Sequence, residues 1–363
     1  MFGKPTFTKS TVEDRDFILL KETIKEHLSL EGKNYQNQIK AFLLPLLYLL
    51  FWLAAMHYKS TPLLYYLFYG LMGIFVILIF ANLIHEACHL TLFKKKWENK
   101  VMMYFFDFIG ANSFIWANRH IRMHHNYPNI IGWDTDIEQS GPIKLFPSES
   151  PSFIQKHQHY WAFFLYPFFF LNWLLLRDFK DFYSSDRYIK KVVKIPPKEH
   201  FKLWFFKLLY FSYIIVIPIL VFKVDIVQAL LGFLILMITG SILGMMILLP
   251  PHANAGNDFP LPDANSKLPT SWIRHQFNTS NDVNGQNFIT KHLMNNFNYH
   301  LAHHLFPNIS SLYADQLTEI IKDFAIEHHY PYKSYSLLKA LQLHYQLLKR
   351  NAVHSKSFFE ETM

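Results

Sequence analysis

The sequence predicts an all-α integral membrane protein, with four transmembrane helices in two hairpins, interfacial helices and a cytosolic helical cap carrying clustered histidines. Three observations lead there. Of 363 residues, 51% are apolar, and they gather into long runs instead of spreading evenly. The chain is aromatic-rich and glycine-poor, with 36 Phe, 20 Tyr and 12 Gly, a balance that suits lipid-facing helices. Among its 20 histidines, eight fall in three compact groups, each close to where an apolar run meets polar sequence.

A helix that crosses a bilayer needs about 20 mostly apolar residues. Residues 41–56 and 62–84 form a first pair across a short polar turn, and residues 203–222 and 226–249 form a second. Residues 160–176 are apolar as well. If the histidines at 85–89 and 300–304 share one site, an even number of crossings must separate them, and 203–249 already supplies two. The 160–176 run is therefore read as a helix lying in the interface or dipping in and out, which its Trp and Tyr content suits. Basic residues set the side. Lys94–Lys100, Arg119, Arg122 and Arg187–Lys194 lie with the histidines, against Lys59 and Lys223 in the two hairpin turns, so the histidine face is expected in the cytosol. The organisation that follows is an N-terminal arm (1–38), a membrane domain (39–350) whose cap comprises 85–200 and 250–350, and a tail (351–363). Amphipathic helices are expected at 311–328 and 334–350.

Several classes of function fall away. The single cysteine, Cys88, allows no internal disulfide. The net charge of +8 comes from Lys and Arg flanking apolar runs, without a nucleic-acid motif, so anionic lipid headgroups are the better partner. The first 38 residues are polar and charged, unlike a cleaved signal peptide. Asn278 and Asn308 match the glycosylation pattern, but on the expected cytosolic side both are chance matches.

The chemistry lies in the histidines. His85-Glu-Ala-Cys-His89, His120-Ile-Arg-Met-His124-His125 and His300-Leu-Ala-His303-His304 have the three- and four-residue spacings that put side chains on one helical face, where two imidazoles reach one ion. Eight histidines exceed the four ligands of a tetrahedral zinc and suit two five- or six-coordinate irons with positions open for O2. A ninth ligand is expected at His252, because Pro250-Pro251 must break the fourth crossing and aim the next side chain at the site. His275 and His292 are further candidates, each with a plainer reading as a hydrogen-bonded interfacial histidine. Glu86, Asp107, Asp134 and Asp136 are carboxylates placed to orient ligands, or solvated loop acids in the plainer reading. The scattered histidines are assigned no chemistry, and Trp116 is read as packing. His85-Glu86-x-x-His89 also fits a zinc protease motif, but such a site needs one more ligand and not two more histidine boxes. A metal carrier would want polar residues within the crossings, which these nearly lack.

At these boxes the chain resembles the membrane fatty-acid desaturase and hydroxylase family. Phe297-Asn-Tyr-His-Leu-Ala-His-His-Leu-Phe-Pro307 looks like that family's third-box signature, His124-His-Asn-Tyr-Pro-Asn-Ile-Ile-Gly-Trp-Asp134 the segment after its second box, and Trp272 through Asn281 the stretch before its third. The resemblance spans roughly residues 40–350 and is greatest to a bacterial group related to linoleoyl-CoA and front-end acyl desaturases. It implies a di-iron centre held by His85, His89, His120, His124, His125, His300, His303 and His304, with His252 matching a further family histidine. It also implies O2 as co-substrate and an acyl substrate on lipid, CoA or carrier protein. The setting would be a bacterial inner membrane with the boxes facing the cytosol. Two departures stand out. Front-end desaturases usually carry Gln where this chain has His300. Many also carry a fused cytochrome b5 domain with an HPGG motif, which is not found here, so electrons are expected from a separate donor such as a ferredoxin or cytochrome b5 system. The rival outcome is a lipid hydroxylase or carotenoid ketolase, and the signatures at 297–307 and 124–134 favour desaturation.

Overall fold

An apolar chain in lipid must satisfy its backbone hydrogen bonds internally, and helices do this within one segment. The computed structural model describes residues 3–29, 34–138, 142–146 and 151–352. Its helices are α1 (Thr11–His27), α2 (Asn34–His57), α3 (Pro62–Cys88), α4 (Lys96–Phe108), α5 (Ser113–Arg119), the helical stretch α6 (Gln155–Lys191), α7 (Pro197–Leu220), α8 (Ile226–Leu248), α9 (Trp272–Thr279), α10 (His300–Leu305), α11 (Ala314–Glu327) and α12 (Leu337–Ala352). Five of them, α2, α3, α6, α7 and α8, are long and apolar enough to cross a membrane. Strands among the described residues are two short ones, β1 (Asp282–Val283) and β2 (Ser334–Tyr335), paired in parallel.

The four runs expected to cross lie in α2, α3, α7 and α8, with polar extensions. α3 continues past its apolar run through the first histidine box to Cys88, and α7 begins at Pro197, where a missing N–H costs nothing. Residues 160–176 lie in α6, which is less regular. A tight turn at Tyr166–Phe168 contains Pro167, and a π-turn follows at Trp173–Arg177. At its start, Gln158 Nε2 donates to the Leu348 carbonyl of α12 at 2.8 Å. Just after the apolar run, Arg177 donates to the Thr135 carbonyl, beyond the second histidine box. Between them the Phe170 N–H donates to Ser241 Oγ of α8 at 2.9 Å.

α3 packs on α2 and α8, and the α3–α8 crossing is close because glycine leaves room for it. A Cβ at Gly73 would stand 2.5 Å from the Leu236 carbonyl and 3.0 Å from the Gly240 nitrogen. Polar side chains inside the apolar layer find partners there. Tyr48 and Tyr213 hydroxyls meet at 3.1 Å, Trp52 Nε1 donates to the Tyr213 carbonyl, and Tyr69 donates to the Ile214 carbonyl. At the end away from the histidines, Lys59 donates to the Phe222 carbonyl and Gln228 to that of Lys59, tying the two hairpin turns together.

The cap has its own apolar core. Leu20, Ile24 and Leu28 of the N-terminal arm are buried with Ile273, Phe277, Tyr313 and Ile321. Glu13 pairs with Arg274, and Asp16 accepts from His328 and Tyr330. The arm is thus packed onto the cap. The amphipathic helices expected at 311–328 and 334–350 are α11 and α12. Residues 353–363 of the expected tail lie outside the described residues.

The glycine seam gives a direct test. Gly73→Ala should destabilise by about 1–3 kcal/mol through overpacking against fixed backbone, lowering the thermal midpoint of detergent-solubilised protein. Gly70→Ala, whose Cβ would sit 3.7 Å from Ile235, should leave it near wild type.

Candidate metal centre

The first box sits at the end of α3, immediately after a π-turn at Phe80–Ile84. The second box is itself a π-turn, His120–His124, continuing α5. Single π-turns of this kind re-aim the side chains around them and recur at functional sites. The third box is α10, and its start is held by Asp282, whose carboxylate accepts the Leu301 N–H at 2.8 Å. Past α8 the chain breaks at Pro250-Pro251 and delivers His252.

These four segments bring nine imidazoles together. His85, His89, His120 and His303 form one group and His124, His252, His300 and His304 another, one ring nitrogen from each lying within 4.8 Å of the others in its group. His125 stands beside the first, its Nε2 3.1 Å from His120 Nε2 and 3.0 Å from His303 Nε2. The remaining close pairs are His89–His120 at 3.1 Å, His252–His304 at 2.9 Å and His252–His300 at 2.8 Å, all between Nε2 atoms. His85 and His89 serve one group, whereas His120 and His124 point into different groups with their rings stacked at 5.6 Å.

The outer nitrogens explain why the inner ones face each other. His252 Nδ1 donates to the Thr279 carbonyl at 3.0 Å, and His304 Nδ1 to Gln276 Oε1 at 3.1 Å. His124 Nδ1 meets Asp134 at 3.0 Å, and His120 Nδ1 meets Asp136 at 3.3 Å. A neutral imidazole has one hydrogen, so His252 and His304 present bare lone pairs to each other at 2.9 Å. That repulsion is relieved by a cation. Two nitrogens about 2.1 Å from one ion stand roughly 3.0 Å apart at a right angle and roughly 3.4 Å apart at a tetrahedral one. The spacings of 2.8–3.1 Å fit the right angle, and the buried, partnerless His85 Nε2 is a further free donor.

Electrostatics suit the same purpose. Burial pushes His89 and His252 down to about 3, and His120, His125, His300, His303 and His304 well below the ordinary histidine range. These rings are therefore neutral at pH 7, the form that binds metal. Burial works the same way on His124, but the Asp134 and Asp136 carboxylates outweigh it and raise this one ring.

The other candidates separate cleanly. Asp134 is fully buried, takes the His124 hydrogen bond and accepts the Asn129 N–H at 2.8 Å. Glu86 turns away from the rings. It accepts from Thr91 and Ser310 at 2.7 Å and from both the N–H and hydroxyl of Ser311, joining the first box to the loop after the third. A protease base would need that carboxylate free beside the metal. His275 belongs to neither group; its Nε2 donates to the Pro128 carbonyl at 2.9 Å. His292 is exposed. Asp107 holds Ser113 and pairs with Lys202 away from the rings, burial pushing its carboxyl up to about 6. Trp116, read as packing, is buried and also stacks on His120 at 4.9 Å. Gln276 and the Thr279 carbonyl were not singled out from sequence. The signal was faint: a glutamine one residue after a histidine in a short polar segment.

A cavity of about 440 Å³, within the usual range for ligand pockets, opens from His120, His124, His252 and His300 into apolar surroundings. Phe80, Trp116, Phe170 and Met237 line it, and Arg177, Lys180, Arg187 and Glu138 rim its polar part.

Removing an outer partner should loosen the metal. Gln276→Ala and Asp134→Ala should each lower affinity about 10–100-fold, measured by chelator competition on purified protein. Glu86→Gln, remote from the rings, should bind metal like the wild type.

Comparison with known proteins agrees with this geometry. The chain is 29% identical to an sn-1 linoleoyl-lipid 6-desaturase of Synechocystis sp. over 71% of its own length and 72% of the relative's. It is 27% identical to an acyl-lipid (8-3)-desaturase of Physcomitrium patens over 96% of its length and 74% of the relative's. A second sn-1 linoleoyl-lipid 6-desaturase, from Arthrospira platensis, is 26% identical over 76% and 75%. The family model for fatty acid desaturases matches residues 60–336, which take in all three boxes and His252. With most of its length matched in this way, the chain belongs to the fatty acid desaturase family.

Proposed function

We propose that this desaturase inserts a double bond into an acyl chain carried by a membrane lipid, with two irons held by histidine alone. One iron would take His85, His89, His120, His125 and His303, and the other His124, His252, His300 and His304. The observation that carries this reading is the pair of lone-pair clusters, spaced for right-angle coordination, at the head of an apolar cavity. Irons bound there would supply the oxidising power with O2, which the side chains lack. In balance, a CH2–CH2 pair becomes CH=CH while O2, two electrons and two protons become two waters, the electrons coming from a separate donor.

The chain's own residues position and protect. Phe80, Trp116 and Phe170 hold the acyl chain and keep water from it. Asp134, Asp136, Gln276 and the Thr279 carbonyl fix the rings from behind. Among the polar residues lining the cavity, Arg187 is already paired with Glu138 and Asp181, and Arg177 is spent on a carbonyl. Among the described lining residues, Lys180 is the exposed cation. So few unspent charges suit a lipid headgroup better than the multiply charged CoA, in keeping with the lipid-named relatives.

Four helices, α2, α3, α7 and α8, would cross the membrane. α6 would enter and return on one side, a path supported by the contacts of Gln158 and Arg177, which flank its apolar run, with histidine-side segments. The excess of Lys and Arg on that side favours the cytosol. Lipid analysis of cells expressing the chain should reveal a new unsaturated acyl species, with His303→Ala losing it by at least a hundredfold, as expected for a lost metal ligand. An alcohol or ketone would change the reaction assigned, and an unchanged lipid profile would refute the proposal.

A further inference from the structure

His252 stands in a turn that the backbone holds only loosely. Pro250 and Pro251 precede it and bring no N–H to the turn. Its own N–H reaches the Leu249 carbonyl at a long 3.4 Å. Side chains supply the rest. Asn129 and Asn257 donate to the His252 carbonyl at 3.1 and 3.2 Å, and the C-terminal helix α12 takes hold of the peptides that follow.

α12 grips the segment at two points. His344 Nδ1 donates to the Ala253 carbonyl, and the Ala255 N–H donates to the Leu343 carbonyl at 3.0 Å. His344 is one of the scattered histidines of the sequence, yet it is fully buried, and burial pushes its ring down to about 4. The ring is therefore neutral at pH 7 and carries one hydrogen. A carbonyl can only accept, which places that hydrogen on Nδ1 and leaves Nε2 as an acceptor. The Tyr166 hydroxyl donates to it at 2.5 Å. Ala253, Leu249, Leu347 and Leu348 are buried around this contact in one apolar cluster, so water does not compete for either bond.

We infer that His344 is a positioning residue for the metal centre: through the Ala253 carbonyl it fixes the peptide after His252, and with it the direction in which the His252 imidazole points. Tyr166, on the wall of the cavity, locks His344 in the tautomer this requires. Direction matters here because His252 Nε2 stands only 2.9 Å from His304 Nε2 and 2.8 Å from His300 Nε2, and a lone pair that swings away leaves the shared ion. The proposal rests on the reading that His252 holds one of two irons. It concerns the group of His124, His252, His300 and His304 alone, since no bond of His344 reaches the segments that carry His85 and His89.

The test is chelator competition on purified, iron-loaded protein, with the thermal midpoint measured in parallel, for His344→Leu, His344→Asn and Tyr166→Phe. In His344→Leu one of the two irons should be lost about 10–100-fold more readily, the other as in the wild type. His344→Asn can still donate to the Ala253 carbonyl from the Nδ1 position, and should recover most of that loss. Tyr166→Phe should loosen the same iron by less, and it carries the test alone if neither histidine variant folds. Both irons held as in the wild type would overturn the proposal. Equal weakening of both irons alongside a lowered midpoint would also overturn it, because His344 would then only pack α12. So would an Asn variant as weak as the Leu variant. A wild type that binds one ion or none would instead sink the two-iron reading beneath it.

Discussion

Uncharged nitrogen lone pairs aimed at one another at the edge of an apolar layer are the constraint on which this structure depends. Left alone they repel, and in water each would find a hydrogen bond. Here nine rings are buried or nearly so, and their inner nitrogens stand as close as 2.8 Å. Such an arrangement persists only if the outer nitrogens are fixed and the scaffold is stiff. Neutral ligands suit the location, since carboxylates facing the ions would have to be buried beside lipid. The carboxylates present stand one step back, where Asp134 and Asp136 hold His124 and His120 from behind.

The rest of the fold follows from collecting imidazoles out of four distant segments. Two come from helix ends, α3 with the first box and α8 with His252, so the registry of the α3–α8 pair sets the distance between those imidazoles. Glycines at 73 and 240 let that pair approach closely. Away from the membrane the segments are knitted by backbone carbonyls. Asn129 donates to the carbonyls of His252, Asp258 and Thr279, joining the loop after the second box to the breaks around the ninth histidine. Glu86 fastens the first box to Ser310 and Ser311 after the third. The same enclosure that keeps water from the rings leaves the apolar cavity beside them, lined in part by α3, α8 and α6.

Much of this was legible in the sequence, for identifiable reasons. Apolar runs of about the length a bilayer needs leave little choice but helix, so the apolar spans of α2, α3, α7 and α8 could be read, while the polar first turns of α2 and α7 could not. Histidines at spacings of three and four are rare enough in apolar sequence to announce a site, and Pro250-Pro251 could only end a helix, which exposed His252. What could not be read depends on tertiary pairing. Nothing local tells that Glu86 reaches Ser311, more than two hundred residues away, or that Gln276 rather than His275 turns to the rings. The split of His120 and His124 between two groups follows from a π-turn, which spacing alone does not reveal. α6 was the least readable element. Its composition suits both a crossing and an interfacial helix, and it is among the five helices long and apolar enough to cross.

The most direct test of the account is metal stoichiometry in purified protein and in a variant stripped of one cluster. The wild type should carry about two irons per chain, and His252→Ala combined with His300→Ala should retain about one, held by His85, His89, His120, His125 and His303, the group that keeps all its rings. One zinc per chain in the wild type, or iron content unaffected by losing both rings, would contradict a two-ion centre built from these nine histidines.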